Sequence, residues 1–195
     1  MNLEEIGKKY ESILENEVRK EGGIYYTPPY IVDYIVHNTI GELVKDKTPA
    51  DVAKIKIVDP ACGAGVFLLG AYQFLLDWHR NYYAEHSLPS KGMRTDPLLP
   101  DGQLTIEEKK RILANNIFGV DIDMIAVEFA KLSLLLKCME GESSATLQRL
   151  KIFHERMLPN IDGNIRVGNS LVDTDYYDMY SDNGSEATIK PLGLA

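Results

Sequence analysis

The segment Val58-Asp59-Pro60-Ala61-Cys62-Gly63-Ala64-Gly65-Val66-Phe67 places a carboxylate at the end of a short β-branched run, then a turn with two glycines, then the start of an apolar helix. Such a turn exposes backbone N–H groups at the C-terminal edge of a parallel sheet, where a ligand can approach without interference from Cβ atoms. An ordinary tight strand-to-helix connection is the competing use of the same residues. A dinucleotide fingerprint would require a third glycine where Leu68 stands, and Gly70 is out of register. A phosphate-binding Gly-Lys-Ser/Thr is also absent, so the turn favours a ligand other than a pyrophosphate. The second signal is Gly119-Val120-Asp121-Ile122-Asp123. A carboxylate at the end of a second parallel strand can accept hydrogen bonds from ribose hydroxyls, and an apolar neighbour such as Ile122 can pack against a base. Asp121 could instead cap the following helix. Asp123, directly before that helix, is the better cap, which leaves Asp121 for a ligand.

The elements that position these residues follow from periodicity. Leu3, Ile6, Tyr10, Ile13, Leu14 and Val18 predict a helix over residues 2–20, stopped by Gly22-Gly23. Pro28-Pro29 opens a second helix over residues 29–44. Residues 54–59 read as a buried strand, 66 to about 82 as a helix, and 84–104 as a long proline-containing loop. Thr105 and Glu108 form the pattern of a capping box for a helix to about Asn115. Residues 117–123 give a second strand, 124–139 a helix, 143–157 a further helical stretch and 164–172 a third strand. Alternation of strands and helices predicts an α/β fold with a parallel sheet, although three strands are few for one.

Bulk properties narrow the function. With 45% hydrophobic and 26% charged residues, the 195-residue chain has a globular composition and length enough for one sizeable core. No apolar run approaches the ~20 residues that span a bilayer, and the N-terminus lacks the apolar core of a signal peptide, so a cytoplasmic protein without a membrane partner is expected. Cys62 and Cys138 are isolated, and His37, His79, His86 and His154 are scattered. Neither set has metal-ligand spacing, so no metal site is expected. A formal net charge of −8 argues against this chain binding duplex DNA unaided, because that affinity comes largely from Lys and Arg on phosphates.

Four segments in this order, Tyr26-Thr27-Pro28-Pro29, Asp59 to Gly65, Gly119 to Asp123 and Gly168-Asn169-Ser170-Leu171, resemble successive motifs of gamma-class adenine-N6 DNA methyltransferases. These are the modification enzymes of restriction–modification systems, particularly type I modification subunits and fused type IIG restriction–methylation proteins. The resemblance spans roughly residues 22–172. It implies a Rossmann-like S-adenosylmethionine-dependent methyltransferase fold, here expected to be incomplete: the first three strands of the sheet plus N-terminal helices. The implied organisation is an N-terminal helix in residues 1–23, the cofactor-binding part in 24–173 with 84–104 as an inserted loop, and a polar tail in 174–195 at which the parent is expected to be truncated.

The implied cofactor is S-adenosyl-L-methionine. Thr27, with Tyr26 alongside, would hydrogen-bond the methionine carboxylate. Asp59 and the backbone from Ala61 through Gly63 to Gly65 would shape the methionine and sulfonium end. Asp121 would take the ribose hydroxyls and Ile122 would flank the adenine. Asn169 would accept from the cofactor's N6 amino group, which its side-chain carbonyl permits. An Asx turn after the strand is the alternative use of Asn169.

Thr27-Pro28-Pro29-Tyr30 resembles the family's catalytic Asn/Asp-Pro-Pro-Tyr/Phe motif but carries Thr in the first place and precedes the glycine turn. It reads as part of the cofactor segment. No catalytic residue is therefore assigned, and the isolated chain is expected to be inactive. DNA would be engaged through the region downstream. The implied strand order third–second–first leaves residues 54–59 as an unpaired edge, so self-association or a second-half or specificity subunit is expected. Two other functions fit the residues less closely: a methyltransferase acting on RNA, protein or a small molecule, and a non-catalytic nucleotide-binding or assembly protein.

Overall fold

Three short parallel strands and the helices packed on them account for the architecture. The computed structural model describes residues 27–86, 96–142 and 159–172. The helices expected over 2–20 and 143–157, Tyr26, and the tail from residue 174 lie outside the described residues.

Helix α1 (Pro29–Val36) begins with proline at its first position, where a backbone N–H would have no helical partner anyway. It passes into a π-helical turn (His37–Gly41) and a last short turn (Glu42–Val44). The periodicity predicts one plain helix here, and side-chain chemistry explains the difference. His37 Nδ1, Asn38 Nδ2 and Thr39 Oγ1 donate to the carbonyls of Asp33, Tyr34 and Ile35 at 2.8, 2.7 and 2.7 Å. Three successive carbonyls thus gain side-chain donors four residues on, competing with the regular backbone ladder.

Helix α2 (Pro49–Val52) is a single turn that the apolar pattern is too short to reveal. It carries a complete capping box between Thr48 and Asp51. The expected strand over 54–59 shortens to β1 (Ile57–Asp59), because residues 53–56 turn out of α2. Asn116 Nδ2 clips that turn by donating to the carbonyls of Val52 and Ile55 at 2.7 and 2.8 Å.

Helix α3 (Val66–His86) runs four residues past its expected end at 82, so the first residues of the expected 84–104 loop are helical. At the other end of that segment Leu98 and Leu104 form an antiparallel bridge. Thr105 caps α4 (Ile106–Asn116), accepting from the Glu108 N–H at 3.3 Å. The box is not reciprocated, since the Glu108 carboxylate instead accepts from the Tyr83 hydroxyl and the Arg111 guanidinium. Strand β2 (Ile117–Asp121) follows without a break, then α5 (Met124–Met139) and β3 (Ile165–Val167).

The sheet order is β1-β2-β3, all parallel, which is the expected order. The register aligns Asp59 with Gly119 and Asp121 with Val167. One face therefore carries Ile57, Asp59, Ile117, Gly119, Asp121 and Ile165. A Cβ at Gly119 would lie 2.7 Å from Leu68 Cδ1 and 3.0 Å from Cys62 Sγ, so α3 and the turn before it pack on this face at a distance only glycine permits. The core beneath is Leu68, Tyr72, Leu75, Ile112, Ile117, Val127, Leu134 and Ile165, each essentially free of solvent. On the other face, and on the strand edge away from β2, Val58 is 57% exposed.

Helix α1 lies along α3 in the same direction. A Cβ at Gly70 would fall 2.5 Å from Val32 Cγ1, and further along both helices His37 meets the Phe74 ring at 5.1 Å. The N-terminal end of α1, with Thr27 and Pro28 before it, accordingly points toward the end of α3 that begins at the glycine turn. Among the described residues no helix is long and apolar enough to cross a membrane.

Candidate functional site

The C-terminal ends of the three strands meet in one hydrogen-bonded cluster. After β1, Asp59 Oδ1 accepts from the Ala61 N–H at 3.1 Å and bends the chain into the turn. The Cys62 N–H reaches across to the Val120 carbonyl at 2.9 Å, and the Gly65 N–H closes back on the Cys62 carbonyl at 2.8 Å. Gly63 and Gly65 have φ of +50° and +85°, backbone conformations that favour glycine. They serve different ends. A Cβ on Gly65 would stand 2.9 Å from the Ala130 Cβ, so this glycine lets α3 start against α5; a Cβ on Gly63 would meet nothing within 4 Å. The Cβ side of Gly63 thus faces open space, while its N–H is taken by Asp121.

Asp121 stands at the tip of β2. Its Oδ2 accepts from the Gly63 N–H at 2.8 Å and its Oδ1 from the Asp123 N–H at 2.9 Å. Asp123, not Asp121, caps α5, accepting from the Ile125 and Ala126 N–H groups at 2.8 and 3.3 Å. Each Asp121 oxygen still has acceptor capacity after one hydrogen bond. Ile122, beside it, is an apolar side chain that is 74% exposed.

After β3, the Gly168 N–H donates to the Asp121 carbonyl at 2.8 Å. Asn169 Oδ1 accepts from the Leu171 N–H at 2.9 Å, so the Asx turn is present. Ser170 Oγ donates to the Pro60 carbonyl at 2.7 Å, joining the β3 loop to the turn after β1. The residues from the second, third and fourth sequence motifs are therefore neighbours, 110 positions apart in the case of Pro60 and Ser170. Thr27 enters from the α1 side, and Tyr26 lies outside the described residues.

The electrostatics are acidic. Burial pushes the Asp59 carboxyl above the usual range, the Ala61 N–H pulls it back, and the nearby Asp121 charge raises it further. The buried Cys62 thiol is pushed up to about 12, first by burial and then by the charges of Asp59 and Asp121. A thiol so held stays protonated and packs as an apolar group under Gly119. The cluster suits a ligand carrying positive charge and hydroxyl or amino donors. His37, His79 and His86 each turn Nδ1 to the carbonyl four residues back on their own helix, consistent with packing roles. Ser170 had no assigned role in the sequence, because its partner Pro60 lies 110 positions away.

Known proteins with similar sequences agree in kind. The model for the family described as MmeI, DNA-methyltransferase domain, matches residues 42–190. The type II restriction enzyme and methyltransferase RM.Eco57I of Escherichia coli is 31% identical over 89% of this chain, and RM.MjaORFECS2P of Methanocaldococcus jannaschii is 32% identical over 88%. The adenine-specific methyltransferase PglX of Streptomyces coelicolor is 24% identical over 86%. The chain spans 16%, 16% and 12% of the lengths of these three relatives. Since the family model covers well over half of its residues, this chain belongs to the MmeI DNA-methyltransferase domain family.

Proposed function

We propose that this chain is the S-adenosylmethionine-binding portion of a restriction–modification enzyme that methylates adenine N6 in DNA, working in the cytoplasm where its substrate lies. The observation that carries this reading is the convergence of the Gly63 turn, Asp121 and Asn169 at the C-terminal edge of parallel strands. That edge is where open α/β sheets bind nucleoside ligands, and it favours a Rossmann-like methyltransferase fold for the whole domain.

The residues fit the cofactor. The open space beside Gly63, where a Cβ would stand, leaves room for the methionine end, and Asp59 and Asp121 offer negative charge to a sulfonium and an ammonium. Asp121 has spare acceptor capacity for two ribose hydroxyls, the exposed Ile122 supplies an apolar wall for adenine, and Asn169 Oδ1 can accept from the N6 amino group beside its bond to Leu171. Thr27, just before α1, would take the methionine carboxylate. When bound, the cofactor supplies an electrophilic methyl group. This chain's own part is to bind and orient that group; positioning is the main contribution to rate, with no covalent enzyme intermediate.

The target amino group needs acceptors of its own, because its lone pair is delocalised into the ring. The family's Asn/Asp-Pro-Pro-aromatic segment would supply them to a base flipped out of the duplex. No such segment occurs in the 195 residues, whose net charge of −8 also gives little affinity for phosphates. The remaining catalytic and DNA-contacting parts would join at the edge of β1 that no described strand pairs with. Incorporation of labelled methyl groups into unmethylated DNA tests this. The 195-residue chain alone gives none, and a longer polypeptide extending through the catalytic motif methylates adenine N6. Turnover by the chain alone would place the chemistry within it and overturn this division of labour.

A further inference from the structure

We infer that Ser170 is a positioning residue that sets the aim of Asn169 and so governs recognition of an amino-bearing purine at the cofactor site. The inference rests on the functional reading above. Asn169 sits between two anchors. On one side the Gly168 N–H is fixed to the Asp121 carbonyl at 2.8 Å, which ties the loop to β2. On the other, the Ser170 hydroxyl is fixed to the Pro60 carbonyl at 2.7 Å, which ties the loop to the turn after β1. The Asx turn from Asn169 Oδ1 to the Leu171 N–H then fixes the side-chain torsion of Asn169 relative to that loop.

Without the Ser170 bond, the Gly168 tether is the remaining hydrogen bond that ties this loop to the strands among the described residues, and Asn169 loses its second anchor. Ser170 and Leu171 are both exposed, Leu171 at 93%, so core packing does not hold this loop in place. A directional hydrogen bond therefore carries the positioning.

Purine recognition separates this role from a general structural one. Calorimetric titration of the 195-residue chain with S-adenosylhomocysteine and with its 6-oxo inosine counterpart reads it directly. Ser170→Ala should weaken the adenine ligand by roughly two- to tenfold, the worth of one neutral hydrogen bond. It should leave the inosine ligand nearly unchanged, since that ligand has no N6 amino group for Asn169 to accept from. Ser170→Thr, which retains the hydroxyl, should restore the adenine preference, and the melting temperatures of all three proteins should agree closely. Equal loss for both ligands, unchanged affinity, or tighter binding by Ser170→Ala overturns the proposal while leaving the cofactor site standing. Failure of the wild-type chain to bind either ligand overturns the functional reading and the proposal together.

Discussion

The carboxylate of Asp121 accepts the backbone N–H of Gly63 at 2.8 Å and thereby ties the tip of β2 to the glycine turn that follows β1. The residue expected to hold ribose hydroxyls is thus also a structural clamp. Its other oxygen accepts from the Asp123 N–H, so both backbone donors depend on one side chain that carries acceptors only.

This dual role predicts an asymmetry between substitutions. In Asp121→Asn one end of the side chain becomes a donor, which must face either the Gly63 or the Asp123 N–H. One of those two bonds is lost, at a cost of about 1–3 kcal/mol if the group stays dry. Hydrogen exchange at the Gly63 and Asp123 amides should accelerate in Asp121→Asn relative to wild type, with the core amides of β2 unaffected. Unchanged protection at both amides would show that the clamp does not exist in solution.

The two glycines of the turn should separate stability from binding. Gly65→Ala forces a methyl against Ala130 in a left-handed conformation and should destabilise the protein by about 2–4 kcal/mol. Gly63→Ala meets open space and carries only the conformational cost, about 1–2 kcal/mol. Its methyl projects into the space assigned to the cofactor, so it should depress ligand affinity out of proportion to its effect on denaturant midpoint. Equal destabilisation by the two, or unimpaired ligand binding by Gly63→Ala, would refute the assignment of that space.

A buried histidine makes the fold sensitive to acid. His79 is fully buried; burial lowers its pKa to about 4, more than the Leu75 carbonyl and the Glu108 charge raise it. In the unfolded chain the ring protonates near its ordinary value of 6.5. Between these values the unfolded state binds a proton that the native state refuses, so stability falls as pH drops from about 6.5 to about 4, by on the order of 3 kcal/mol. Glu108 adds to the loss further down. Burial opposes its charge, but Arg111 and Tyr83 hold its carboxyl below the usual range. Its contribution is present above the unfolded value and is lost as pH falls through the folded one. Urea denaturation at pH 7.5 and pH 5 should show the loss in wild type and a much shallower dependence in His79→Gln. Identical slopes would place the acid sensitivity elsewhere.

Much of this was legible in the sequence. The Asp59 to Gly65 turn, a second strand carrying Asp121 and the Asp123 cap follow from local residue chemistry, although that strand stops at Asp121 rather than at residue 123. What the sequence concealed depends on tertiary partners. The shortening of β1 depends on Asn116, which takes two carbonyls more than 60 positions away. The capping box at Glu108 fails because Tyr83, brought close by packing of α3 on α4, and Arg111, one turn along α4, outcompete the local backbone. The π-helical turn after Val36 arises from three polar side chains that periodicity counts merely as a solvent face. Ser170 likewise has no local signature; its partner Pro60 is a neighbour only once three strands are aligned.

Titration of S-adenosylmethionine into the wild-type chain and into Asp121→Ala tests the central claim most directly. The account predicts saturable one-site binding by the wild type and a loss of about fivefold to 150-fold in Asp121→Ala, because ribose hydroxyls and the Gly63 N–H lose a shared acceptor worth about 1–3 kcal/mol. Equal affinities in the two proteins, or no binding by the wild type at concentrations that saturate related methyltransferases, would contradict it.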